Sequence, residues 1–189
     1  MTTEVQKIYF ADRKAWREWL EKNHDKVKSI WLVHDKTSKG GKLSYDDIVE
    51  EALCFGWIDS TVKKVDEARS QIYLSVRKPK SIWASSNKER VKKLIKNGLM
   101  TRTGLAVVER AKADGSWTAF DVVENLVLPE ELKKALAKNK KAAENFEKFS
   151  ISLRKQVLYY IYSAKQEETR RQRVAKLLPS LEAGKNPFT

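Results

Sequence analysis

The run Leu43-Ser44-Tyr45-Asp46-Asp47-Ile48-Val49-Glu50-Glu51-Ala52-Leu53-Cys54-Phe55-Gly56-Trp57-Ile58-Asp59 contains a helix start, a helix stop and a strand start in direct succession. Ser44 and Asp47 have the spacing of a capping box, in which each side chain satisfies the other residue's free backbone N–H. Leu43 and Ile48 flank it at the spacing of a hydrophobic staple. A helix therefore begins just after Ser44. Gly56 is placed to end it, because glycine enters the left-handed conformation of a helix terminus without a Cβ penalty. Trp57 then opens an extended segment, and a helix leading straight into a strand is a junction of a mixed α and β unit.

On the C-terminal side of this run, Trp57 to Val65 and Gln71 to Arg77 read as the two strands of a hairpin, with Asp66 to Ser70 as the turn. Ile72, Leu74 and Val76 alternate with Tyr73, Ser75 and Arg77, the period of a strand with two different faces. On the N-terminal side, Asp12 is a cap for a helix running to about Asn23, with Trp16, Trp19, Leu20 and Asn23 on one face. Ser29 to Asp35 is a strand, and Ser38-Lys39-Gly40-Gly41 a turn. From Asn87 onward the period is helical. Val91, Leu94 and Ile95 share a face before Gly98, and a second helix covers Thr103 to Ala113, ended by Asp114-Gly115. Ser116 to Leu128 reads as a loop. Pro129 starts a further helix, with Glu130 and Glu131 at the positive end of its dipole. Three short helices follow, around Phe146/Phe149, around Val157/Ile161 and around Val174/Leu181. The expected fold class is α+β: a small antiparallel sheet with packed helices over 1–120, followed by an all-helical C-terminal segment over 129–189.

The chain has 189 residues, of which 41% are apolar, enough for a real core and unlike a disordered composition. No apolar run approaches the length of a membrane span, so no membrane insertion is expected. Met1 to Phe10 lacks the basic-then-apolar order of a secretory signal, and the expected location is cytoplasmic. The single cysteine, Cys54, sits in an apolar run and reads as a buried small hydrophobe. The net charge is +13, unevenly spread. Residues 1–59 carry 10 Lys/Arg against 11 Asp/Glu, whereas residues 60–112 carry 14 against 4 and residues 129–189 carry 14 against 7. A one-sided basic surface predicts an anionic ligand or nucleic acid as partner; the alternative is a solvated lysine-rich surface.

Known chemistries are mostly excluded. There is no P-loop, no GxGxxG and no GxSxG elbow. Two histidines and one cysteine do not make a structural zinc site by themselves, and no cofactor is indicated. Two polar stretches remain. In Arg77-Lys78-Pro79-Lys80-Ser81-Ile82-Trp83-Ala84-Ser85-Ser86-Asn87, cations, hydroxyls and the free amides of a helix start are suited to an anion, and Trp83 to stacking on a ring. The competing reading packs Trp83 under the loop and leaves the hydroxyls as caps. In Glu167-Glu168-Thr169-Arg170-Arg171-Gln172-Arg173, the arginines Arg170, Arg171 and Arg173 form a phosphate-friendly cluster, a candidate nucleic-acid contact. Glu167 and Arg171, however, are also spaced as an i, i+4 ion pair. Asp59 beside Trp57 is the lone acid of residues 52–65, a candidate pocket group or a satisfied structural one.

Taken together these motifs resemble the YdeI/OmpD-associated (bacteriocin-protection) family. The resemblance rests on Trp16-Arg17-Glu18-Trp19-Leu20 with Asn23-His24, on Ile30-Trp31-Leu32-Val33, on Tyr45 to Glu51, and above all on Glu51 to Asp59. It continues through Arg77 to Asn87, which is similar to the family's PRxxxSxWSxxN element. There Lys78 precedes Pro79 where the family often has Pro-Arg, and Ala84 replaces a serine. Gly98 to Thr101, Gly104 to Ala106, Asp114 to Trp117 and the tail around Ala164-Lys165 and Glu168 to Arg170 extend it to nearly the whole chain, the tail resembling the OmdA domain. The resemblance implies a role in bacteriocin or stress resistance but no catalytic mechanism. The leading expectation is a binding or protective protein. Its ligand site is formed by Trp57, Asp59, Arg77, Lys78, Lys80, Ser81, Trp83 and Asn87. The alternatives are nucleic-acid binding through the basic surface and a small-molecule enzyme using Asp59 or His24 as acid–base. Ligand identity and oligomeric state are not encoded in any motif.

Overall fold

The computed structural model describes residues 5–189, so the first four residues of the Met1–Phe10 stretch lie outside it. The chain divides into two compact units, the first ending at Thr118 and the second beginning at Ala119.

The first unit is built around a four-stranded sheet and four helices. Strand β1 (Lys7–Tyr9) leads into α1 (Arg13–Asn23), then β2 (Ser29–Asp35), α2 (Tyr45–Cys54), the hairpin β3 (Trp57–Lys64) and β4 (Arg69–Val76), α3 (Ser85–Lys96) and α4 (Arg102–Ala113). The strand order is β1-β2-β4-β3. β2 pairs with β4, and β4 with β3, antiparallel, whereas β1 runs parallel to β2. The parallel edge strand is an addition to the antiparallel sheet expected from sequence. Three residues carry too little alternation to be read, and β1 exists because β2 supplies its hydrogen-bonding partners.

Local signals act as the sequence implies. Asp12 accepts from the Ala15 amide at 2.9 Å and caps α1. The Ser44 hydroxyl accepts from the Asp47 amide, and the Asp47 carboxylate accepts from the Ser44 amide, at 3.1 Å each. Leu43 and Ile48 are both buried. Gly56 has φ +76°, and a Cβ there would lie 2.7 Å from Val107 Cγ2, so both conformation and space select glycine.

α2 is the central helix, with every residue from Ile48 to Cys54 buried, Glu50 and Glu51 included. Two buried carboxylates need partners. Glu51 receives Arg13 Nε and Arg17 Nη1, both at 2.7 Å, and Glu50 receives Arg13 Nη1 at 2.9 Å. These pairs tie α1 to α2. Cys54 is fully buried, and burial first, then Glu51, pushes its thiol up to about 11, so it has the expected character of an inert small hydrophobe.

The second unit is all helical: α5 (Asp121–Glu124), α6 (Glu130–Lys138), α7 (Lys140–Lys148), α8 (Ile151–Tyr162) and α9 (Glu167–Glu182). It has its own core, including Val123, Leu132, Phe146, Val157, Ile161, Val174 and Leu181. α5 lies within the stretch read as a loop; a single turn is too short to show a period, and it forms where Val123 is buried. Among the described residues no helix is long and apolar enough to cross a membrane.

Candidate anion-binding site around Arg77

Along β4 the inward residues Ile72 and Leu74 fill the core, and Tyr73 and Ser75 point to the other face. Arg77 follows immediately after the strand. Its amide donates to the Gly56 carbonyl at 3.0 Å, and Val76 is paired with Trp57, so the backbone brings the 52–59 and 77–87 motifs together.

Arg77 is 2% exposed. Its guanidinium lies over the Trp83 ring, 3.6 Å from the centroid, and Nη1 donates to the Ile82 carbonyl at 3.0 Å and weakly to Ser81 Oγ at 3.5 Å. Nε and Nη2 have no hydrogen-bond partner, nor does Trp83 Nε1. Among the described residues no carboxylate forms an ion pair with Arg77, and burial draws its pKa down to about 10, opposed by the charge of Asp59. A buried cation without an anion is costly, because its hydration is lost and nothing replaces it.

Two spaces adjoin it. One is a tight crevice with no room for a water molecule, where Arg77 and Trp83 meet Arg110 and Asp114 of α4's end. The other is an open cavity of about 480 Å³, where Arg77 meets Lys28, Tyr73, Ser75, Lys78 and Pro79. Lys78, Pro79 and Lys80 are exposed. They form a turn closed by Ser81 Oγ and the Ser81 amide donating to the Lys78 carbonyl, at 2.8 and 3.3 Å. Lys80 sits at φ +59°, a left-handed conformation that costs a residue with a Cβ roughly 1–2 kcal/mol.

The other expected site residues separate. Trp57 is fully buried, with Nε1 donating to the His24 carbonyl at 3.2 Å and its ring edge-on to Trp19. Asp59 accepts from the Tyr45 hydroxyl at 2.7 Å, and burial together with this bond pushes that phenol up to about 12. Trp83 is 2% exposed, covered by Arg77 and by Trp117 at 4.9 Å, so the packing reading describes its ring. Asn87 is half-buried in the first turn of α3. His24 Nδ1 donates to the Leu20 carbonyl at 2.8 Å and Nε2 meets the Thr103 hydroxyl at 3.3 Å, a structural setting. Lys28, Tyr73, Arg110 and Asp114 join the site only through tertiary structure. For Tyr73 the signal lay in its alternation with Ser75 and Arg77.

Of the basic cluster in α9, Arg170 bonds Glu131 at 2.8 Å and tethers α9 to α6. Arg171 pairs with Glu167 at 2.5 Å, the i, i+4 pair seen in the sequence. Arg173 bonds the Tyr160 carbonyl and Ser163 Oγ and lies over the Tyr160 ring, closing the α8–α9 corner. Among the described residues, no three His, Cys, Asp or Glu side chains gather as metal ligands do.

Two family models match the chain. Residues 8–107 match a domain of unknown function (DUF8412), and residues 125–184 match the family described as Bacteriocin-protection, YdeI or OmpD-Associated. The likeness drawn across the whole sequence thus divides between two families, with the Arg77 site inside the first. No curated protein and no solved structure matches the chain.

Proposed function

From a chain that belongs to the family of unknown function matched over residues 8–107 and carries a YdeI/OmpD-associated domain over 125–184, we propose a protein that binds an anionic ligand at Arg77 and acts in bacteriocin protection. The observation that carries the reading is the buried Arg77 guanidinium with two unpartnered nitrogens, Nε and Nη2, and no paired carboxylate among the described residues. Such a group destabilises the empty protein and gains strongly from a carboxylate or phosphate able to take two parallel hydrogen bonds. Lys78 and Lys80 supply exposed positive charge beside it, and Ser81 a hydroxyl. Entry requires the Lys78–Ser81 turn to open, at the cost of two local hydrogen bonds and with release of the strained Lys80 conformation. The protective role rests on the C-terminal domain match.

The test is thermal unfolding in sodium phosphate, sulfate or acetate at constant ionic strength, in the parent and in Arg77→Met. The parent gains melting temperature with at least one anion. Arg77→Met melts no lower than the parent without ligand, since methionine occupies similar volume and needs no hydration, and it gains nothing from the anion. A loss of several degrees in the ligand-free variant, with anion protection retained, would refute the assignment.

A further inference from the structure

The face of the sheet turned away from the core carries Trp31 on β2 directly opposite Tyr73 on β4, with ring centroids 5.2 Å apart and edge to face. In the next row Val33 faces Gln71, which faces Lys63 of the edge strand β3, and the Lys63 ammonium lies 5.0 Å from the Trp31 centroid. Both rings are only partly buried. Gln71 Oε1 has no hydrogen-bond partner, which leaves an acceptor unused beside them. Tyr73 also lines the open cavity that reaches Lys28, Lys78 and Arg77. Aromatic rings and cations therefore form one continuous path from Lys63 across the rings to Arg77. Its acid on the same face, Asp35, is engaged by the Tyr9 hydroxyl at 2.6 Å and paired in register with Arg69.

We propose that this face binds single-stranded nucleic acid, with bases stacking on Trp31 and Tyr73 and phosphates held by Lys63, Lys28, Lys78 and Arg77. The proposal builds on the Arg77 anion site and names its ligand class. The chemistry is specific to that class: flat rings on a sheet accept unstacked bases of any sequence, and flanking cations track a phosphate backbone. A duplex hides the base faces that these rings would stack on. A simple anion has no use for the rings. The excess of 14 Lys/Arg over 4 Asp/Glu in residues 60–112 supplies the attracting field.

The experiment is fluorescence anisotropy of a labelled oligothymidylate about twelve nucleotides long on the full chain, at low and physiological salt, within the usual site size of such surfaces. It is run beside the phosphate thermal shift. The strand binds at low salt, with a log–log salt slope of about −2 to −3 for three or four phosphate contacts. Trp31→Thr, chosen because threonine favours strands, weakens it at least about tenfold and keeps the phosphate thermal shift, and Tyr73→Thr weakens it likewise. Lys63→Glu, on an exposed edge, weakens it without touching the core. Absence of binding at low salt, unchanged binding in all three variants, or competition by thymidine 5′-monophosphate at equal molar affinity would each overturn the strand reading. A surviving phosphate shift in those cases leaves the anion site standing. Strand and phosphate effects both retained in Arg77→Met would remove the anion site and leave the stacking face.

Discussion

Arg77 uses one nitrogen on the Ile82 carbonyl, rests its plane on Trp83, and leaves Nε and Nη2 unsatisfied and shielded from solvent. Glu51 is the opposite case. It is as deeply buried, but two arginines meet it at 2.7 Å, and its charge is fully matched. The comparison separates a matched buried charge from an unmatched one by partners rather than by burial. Removing Glu51 breaks a satisfied network and leaves Arg13 and Arg17 facing an empty space, although both are about a third exposed and Arg13 keeps Asp47 and Glu50. Glu51→Ala is therefore expected to lose about 3 kcal/mol in urea unfolding, the lower end for a broken buried pair. A loss under about 1 kcal/mol, the value of an exposed pair, would contradict that account.

Among the elements, α2 shows how local and tertiary forces combine. Its start is set by Ser44 and Asp47, and its end by Gly56 and by Thr101, whose hydroxyl donates to the Cys54 carbonyl at 2.6 Å. Gly104 is required where α4 crosses this end, because a Cβ there would overlap the Cys54 carbonyl. Burial raises the Asp47 pKa, but the Ser44 hydrogen bonds and Arg13 together outweigh it and hold the carboxyl below its ordinary 3.8. A carboxyl lowered in the folded state contributes stability that is complete above that ordinary value and disappears as pH falls through the folded value. Asp47→Asn is thus expected to be less stable than the parent by about 1 kcal/mol at pH 7, the usual worth of a cap. The gap should narrow below about pH 4. Urea midpoints at pH 7 and pH 3 measure it, and a gap independent of pH would mean that the charge plays no part. The edge strand β1 is the reverse case, since its three residues have no strand signal of their own and exist as a strand only beside β2.

The described residues hold two cores and an uneven distribution of probes. All six tryptophans, Trp16, Trp19, Trp31, Trp57, Trp83 and Trp117, precede the division at Thr118, whereas helix is present in both units. Tryptophan emission therefore reports the first unit, and far-ultraviolet circular dichroism reports both. Two separate cores predict denaturant transitions that do not coincide between the two probes. Superimposable curves would show that the units unfold as one.

Capping residues, glycine stops and alternating apolar residues determined most elements by themselves, because each acts within a few residues of chain: α1, β2, α2, the hairpin and the later helices all lie close to where their signals put them. The Arg77–Asn87 segment was also visible as a polar stretch in a basic region. Partnership was not visible, because it depends on groups far apart in sequence. Only tertiary structure gave Asp59 to Tyr45, Trp57 to the His24 carbonyl and Arg170 to Glu131, and left Arg77 without an anion. Local sequence fixes backbone conformation through short-range sterics and hydrogen bonds, whereas whether a charge is satisfied is decided by what the completed fold brings within about 3 Å of it.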